Sequence, residues 1–262
     1  MSNAALHVAR TGLDAQNTKM RVIANNLANV NTTGFKRDRA DFETLAYQQM
    51  IAAGANSDSE NKFATGLNLG SGVSLQGTSK INTQGTLSQT GSALDMAIEG
   101  SGFFQIQRPD GSIAYTRAGN FSVTAEGNVV TSDGLPLIPQ ITVPEGATSV
   151  TVGNDGTVSA TLQGEAEPTQ LGQIELATFM NAAGLQSIGG NLLAESAASG
   201  VPQIGVAGLE GRGSIRSGSL ETSNVNIVEE LVEMIETQRA YEVNSKMIKA
   251  TDEMLQYVNQ NM

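Results

Sequence analysis

The sequence predicts an α+β protein: a long helix at each terminus, the two pairing as a coiled-coil-like layer, a long connector, and a central all-β domain of short strands. Three observations carry this. Apolar side chains recur at helical spacing over both ends of the chain. Glycine, 29 of 262 residues, and Asp-Gly or Glu-Gly pairs punctuate the middle. All six prolines (Pro109, Pro136, Pro139, Pro144, Pro168 and Pro202) fall in that middle, where none interrupts a helix.

The first helix is written in Leu6, Ala9, Leu13, Gln16, Met20, Ile23, Leu27 and Val30, at alternating steps of three and four. Arg10, Asp14, Lys19 and Arg21 lie off this seam, and Gly34 is a natural stop. At about 1.5 Å per residue the helix would be roughly 40 Å long. Its end carries Asn25, Asn26, Asn29 and Asn31, four poor helix formers within seven residues. An amide donates and accepts, so the first three are expected to bridge to neighbours in a packed bundle. For Asn31 the same role and a plain polar exit turn both remain open.

Residues 34–73 read as a connector that orders against neighbours. Its stretch "YQQMIAAGANSDSENKFATGLNLGSGV" is weakly periodic, and Tyr47, Met50, Ile51 and Phe63 are its apolar handholds. Residues 74–224 read as the β domain. The turns "PDGS", "AEGN", "SDGL" and "NDGT" separate strand-like runs such as "GFFQIQ", "IAYTRAGNFSVT", "GNVVT" and "TVSATL".

The terminal helical domain is completed by 225–262, so that it comprises 1–33 plus 225–262. Ile227, Leu231, Met234, Tyr241, Ile248 and Leu255 mark the second helix, and Asn226 with Glu229 resembles a capping box. With no Gly or Pro inside, it can exceed 30 residues, roughly 50 Å. Val228, Val232, Ile235, Val243, Met247 and Met254 widen its apolar stripe beyond what one partner helix covers, so more copies of the chain are the economical partner.

Charge and composition exclude several functions. The net charge of −11 repels nucleic acid and anionic lipid. Residues 1–41 carry six basic against three acidic groups, while 226–262 carry seven acidic against three basic, so the terminal helices attract one another. No window is apolar enough for a membrane span, and the first residues lack the apolar core of a cleavable secretory leader; these facts alone suggest a cytoplasmic protein. With no cysteine and His7 as the single histidine, on a helix surface, thiol–imidazole catalysis, a Ser–His nucleophile and most zinc sites are out. Neither a phosphate-binding loop with its lysine nor a complete dinucleotide fingerprint occurs. Carboxylate pairs such as Asp95 and Glu99 are the remaining catalytic option, in a chain where surface acids are common. The expectation is no enzyme, no cofactor and no metal.

The stretch "IANNLANVNTTGFKRDRADFE" resembles the N-terminal signature of the bacterial flagellar rod and hook family. "LVEMIETQRAYEVNSKMIKATDEMLQ" is similar to its C-terminal signature, and "ALDMAIEGSGFFQI", "YTRAGNFSVTAEGNVVTSDGLPL" and "GSLETSNVNIVEEL" to its internal blocks. The likeness covers almost the whole chain. Length and the connector insertion point within the family to its distal rod class, with a proximal rod subunit as the alternative. A periplasmic binding module on a helical stalk is the rival from another class.

The resemblance implies a subunit of a straight hollow helical tube, drive shaft and export channel between motor and hook. It implies terminal helices in the inner tube, the β domain outside, and a connector that bridges neighbouring subunits. The implied partners are copies of the chain itself, proximal rod proteins, the hook protein, the P- and L-ring proteins as a bushing, and the flagellar type III export apparatus. Export by that route, with no cleaved signal peptide, replaces the cytoplasmic expectation with a periplasmic rod in the basal body. The 16 acidic against 6 basic groups of residues 42–225 would then give a hydrated, low-friction face toward the rings.

Overall fold

The structure, a computed structural model, describes residues 2–54, 64–162 and 167–260. The chain divides into two compact units, one of Met1–Leu27, Asp38–Ser79 and Asn226–Met262, the other of Ala28–Arg37 and Lys80–Val225.

The first unit holds the two long helices. Helix α1 spans Ser2–Ala28 and α2 spans Ile227–Gln260, 27 and 34 residues. Helix α1 thus stops two residues before the end of its apolar seam at Val30. Asn226 caps α2: its Oδ1 accepts from Val228 N at 3.1 Å, and its carbonyl accepts from Glu230 N at 3.0 Å.

Between the helices run β1 (Asp38–Thr44), β2 (Tyr47–Ile51), β3 (Leu67–Gly70) and β4 (Val73–Lys80). Strand β1 pairs with β4, and β2 runs antiparallel to β3 in the register Tyr47 to Gly70 and Gln48 to Leu69. Leu45 N donates to Gly72 O at 2.9 Å and joins the two ladders. The connector expected to order only against neighbours is therefore a two-stranded arm laddered on itself. The faces of β2 and β3 are largely exposed, so no alternation of apolar and polar residues announces them, yet the ladder pairs their inward-facing backbone polar groups and water takes the outer edges.

The second unit is β-rich. In chain order it carries β5 (Leu87–Gln89), β6 (Met96–Glu99), β7 (Phe104–Gln107), β8 (Ile113–Thr116), β9 (Ser122–Val123), β10 (Val129–Val130), β11 (Leu137–Ile138) and β12 (Ala147–Val152). There follow β13 (Thr157–Leu162), β14 (Thr169–Gln173), β15 (Glu175–Thr178), β16 (Gln186–Gly189), β17 (Leu192–Ala194), β18 (Gln203–Val206), β19 (Ser214–Ser217) and β20 (Ser219–Glu221). The largest sheet has the order β11-β7-β8-β17-β16; β12-β13-β14 form a second, and β15–β18, β6–β19, β5–β20 and β9–β10 are pairs.

The Asp-Gly turns fall where the sequence places them. Gly111 and Gly156, at φ +81° and +85°, sit in the links from β7 to β8 and from β12 to β13. Met96, Ile98, Phe104, Ile106, Leu137, Ile174, Leu176 and Ile215 fill the core, with Phe121 edge-on to Phe104 at 5.2 Å. A smaller cluster gathers Phe103, Tyr115, Ala177, Leu185 and Leu193. Gly119, in "YTRAGNF", is fixed by close approach: a Cβ there would lie 1.5 Å from Met96 O, and Met96 N donates to the Gly119 carbonyl at 2.9 Å.

Candidate assembly surface

In the first unit the helices run antiparallel. Asn26 meets Glu230, Lys19 Nζ lies 3.7 Å from a Glu233 carboxylate oxygen, and a Cβ at Gly12 would lie 3.1 Å from Asn244 Nδ2. The Lys19–Glu233 pair is about one-third exposed and contributes roughly 0–1 kcal/mol, so the expected attraction between the helices is weak at this point. On α1, Ile23 is buried and Leu6, Leu13, Met20 and Leu27 are half-buried; Val30, past the helix end, is half-buried too. On α2, the half-buried Met234, Tyr241 and Ile248 share a seam with the buried Glu230 and Thr237.

The asparagines separate into distinct roles. Asn26 is buried; its Oδ1 accepts from Asp38 N and its Nδ2 donates to Asp38 O, both at 2.9 Å. The same Nδ2 faces both Glu230 carboxylate oxygens at 3.3 Å. One amide thus ties the end of α1 to the start of the arm and to the first turn of α2. Asn29 closes the exit turn instead: its carbonyl accepts from Thr32 N at 3.1 Å and its side chain from Thr32 Oγ1 at 3.2 Å. Asn25 and Asn31 lie at the surface.

A second face of α2 is bare. Ile227, Leu231 and Ile235 are 47%, 42% and 50% exposed, and Val228, Val232, Val243, Met247 and Met254 are at least half exposed. The unbroken apolar stripe from Ile227 to Ile235 marks a contact surface. The arm adds Tyr47 and Met50, 62% and 59% exposed, with Leu67 and Leu69 exposed on the opposing strand; Ile51 is half-buried. Phe63 lies outside the described residues, as does the side chain of Leu255. The root of the arm lies along α1, where His7 Nδ1 is 3.2 Å from Ser71 O and Val73 N donates to Thr11 Oγ1 at 3.4 Å. A small cavity of about 210 Å³ opens there, lined by Thr11, Asp14, Ala15, Thr18, Val73, Ser74 and Leu75. No helix among the described residues is long and apolar enough to cross a membrane.

Sequence reasoning missed the buried charges. Glu230 and Glu221 count there among solvated acids, yet both are fully buried. In the second unit Glu221 Oε1 accepts from Lys36 Nζ at 2.5 Å and from Gly85 N at 2.9 Å, while Oε2 accepts from Arg117 Nη1 at 3.3 Å. Burial pushes Lys36 below the ordinary lysine value against the pull of the Glu221 carboxylate, and it pushes Arg117 down in the same way. A lone carboxylate between one apolar and one polar neighbour, as at Leu220 and Thr222 or Glu229 and Leu231, gives no periodic signal of burial.

Three segments match known families: residues 6–36 the flagella basal body rod protein family, 97–160 the flagellar hook protein FlgE/F/G D1 domain, and 216–261 the flagellar basal body rod FlgEFG protein C-terminal family. The flagellar basal-body rod protein FlgG of Buchnera aphidicola from Acyrthosiphon pisum is 51% identical over 98% of both chains. FlgG of Agrobacterium fabrum is 46% identical over 98% of this chain and 99% of its own. The rod protein FlgF of Caulobacter vibrioides is 36% identical over 93% and 92%.

Proposed function

Since the chain belongs to the flagellar basal-body rod protein family and is a structural subunit of the distal rod, not an enzyme, we propose that it works by polymerising into a straight hollow helical tube. That tube is both drive shaft and export channel. Self-association and contact with other rod and hook components come with the family.

The observation that carries the mechanism is the bare stripe of α2. Leu231, Ile235 and Met247 are exposed although the helix already packs one seam inside its own subunit. At about 25 cal/mol per Å², covering such a stripe with neighbouring copies is a strong drive to assemble. Head-to-tail contacts that do not close into a ring grow a filament. In this reading the terminal helices, 1–33 with 225–262, form the inner tube and residues 74–224 the outer layer. The arm lays Tyr47 and Met50 on a neighbour and stiffens the shaft.

The P- and L-ring proteins would surround this shaft as a bushing, and an acidic outer surface keeps it hydrated there. Proximal rod proteins and the hook protein would continue the tube at its two ends. The flagellar type III apparatus would deliver the subunits to a periplasmic site of assembly.

Electron microscopy of concentrated protein tests the reading, beside a truncation lacking residues 226–262. Straight hollow tubes from the full chain alone are expected. Monodisperse particles from both, with long helices already formed by circular dichroism, would overturn it in favour of a self-contained stalk.

A further inference from the structure

The buried cluster around Glu221 takes one residue from each of the three family-matched segments: Lys36, Arg117 and Glu221. Nothing in the assembly mechanism uses it, and it is not arranged as a stability device. Two cations share one carboxylate, which leaves an excess positive charge in the interior. Apolar side chains of similar volume would hold such a site as well or better.

What the cluster does have is direction. Lys36 Nζ reaches Glu221 and, at 2.8 Å, the Thr83 carbonyl. Arg117 reaches Glu221 and the Ile98 and Gly100 carbonyls, its guanidinium 5.5 Å above the Phe103 ring. The backbone repeats the pattern: Gly34 N donates to Glu221 O at 2.8 Å, Arg37 N to Asn224 Oδ1 at 2.8 Å, and Ile81 N to Arg37 O at 2.8 Å. Asn224 Nδ2 returns to Ile81 O at 2.8 Å and Thr83 O at 3.1 Å. The three chain segments braided here are those by which the chain leaves the second unit after Arg37, re-enters it at Lys80 and leaves it again after Val225. Gly34, at φ +69° with Arg117 and Ala118 backbone atoms 2.6 Å from where a Cβ would stand, closes the braid on its other side.

We propose that Lys36, Arg117 and Glu221 form a positioning clasp, an ionic pin that fixes the spacing of the stems through which the β unit is joined to the terminal helices and the arm. Lys36 Nζ and the two terminal nitrogens of Arg117 are aimed at separate acceptors, so only one relative placement of the stems satisfies those contacts together. An apolar plug of equal volume accepts several. The consequence for assembly rests on the polymer reading above, whereas the spacing itself does not. Subunits whose stems emerge at variable spacing present their helices irregularly, and a straight tube needs every subunit alike.

The chain has no cysteine, so Asn31→Cys and Thr222→Cys place two spin labels on the stems and nowhere else. Electron paramagnetic resonance of the full chain then reads the distance between them. A single narrow distribution is expected in the labelled parent, and a distribution at least twice as wide in Glu221→Gln, which removes the shared anion. Because Glu221→Gln risks unfolding the β unit, the deciding variant is Lys36→Met/Arg117→Met/Glu221→Leu. It is expected to keep near-ultraviolet circular dichroism and a cooperative melt, yet to widen the distribution at least twofold and to lose straight tubes. A wide distribution in the parent would overturn the clasp. So would an unchanged distribution in the folded triple variant, or straight tubes from it equal to the parent's. If the parent makes no tubes, the polymer reading fails by itself and the clasp is judged on the distances.

Discussion

Replacing Leu231 by aspartate probes the bare stripe most directly. Leu231 is 42% exposed in the subunit, so rather more than half of its burial is already achieved by folding. Complete burial of a leucine side chain is worth about 1.5–3 kcal/mol, and the part left for assembly is therefore about 1 kcal/mol per subunit. Leu231→Asp forfeits that and carries a carboxylate into the contact, next to Glu229, Glu230 and Glu233 on the same helix. The desolvation penalty of an ion without a matching cation is several kcal/mol, here taken as roughly 3. The sum, about 4 kcal/mol, corresponds to nearly a thousandfold rise in the concentration at which polymer first appears, at 1.4 kcal/mol per decade. Leu231→Ala, which loses only the apolar term, should raise it about fivefold. Sedimentation of polymer across a dilution series gives both numbers, and near-ultraviolet circular dichroism should show the β unit unchanged. Polymerisation of Leu231→Asp at the parent concentration would refute the assignment of this face, whatever else drives the tube.

Three other perturbations separate the devices of the fold. Gly119→Ala forces a Cβ into the Met96 carbonyl and strains the hydrogen bond between the two residues; a cost of roughly 2–4 kcal/mol should lower the melting temperature of the β unit by about 5–15 °C. Asn26→Ala removes both bonds to the Asp38 backbone and one donor to Glu230. A loss of about 3 kcal/mol should speed hydrogen exchange at the Asp38 amide roughly a hundredfold, and unchanged exchange would detach Asn26 from the junction. Asp155 is held below the ordinary aspartate value of 3.8 by the Thr157 hydroxyl and amide that it accepts from. A depressed carboxylate stabilises the fold above its unfolded value and loses that contribution as pH falls through the folded one. Stability to urea should thus drop below about pH 4, and Asp155→Asn should flatten that part of the profile.

The legible parts of this protein are those whose signal is periodic or stereochemical. Both helices announce themselves because an apolar seam must recur every three or four residues. The hairpin turns do so because a positive φ at Gly111 or Gly156 costs a side chain but not a glycine. The arm gives no such sign. Strands with both faces largely in water need no alternation, and Tyr47, Met50, Leu67 and Leu69 look like loop residues until the ladder is seen. Asn26 carries an amide able to bridge, but nothing in the sequence names its partners within the subunit. One is the backbone of Asp38, and the other, Glu230, lies 204 positions along the chain.

The buried charges were illegible for a deeper reason. Helix periodicity shows which face of α2 is apolar, and by that measure Glu229, Glu230, Glu233 and Glu236 form a solvated acidic run. Yet Glu230 falls on the seam of Met234, Thr237 and Tyr241, where the Asn26 amide meets its carboxylate. Glu221 likewise sits in a short strand between a serine-rich stretch and an asparagine, where any polar residue fits a surface reading. In both places burial follows from groups remote in sequence converging on one carboxylate. At such a convergence an ionic contact has an advantage over an apolar one. Apolar packing rewards many arrangements nearly equally, whereas a carboxylate shared between fixed donors is satisfied in one.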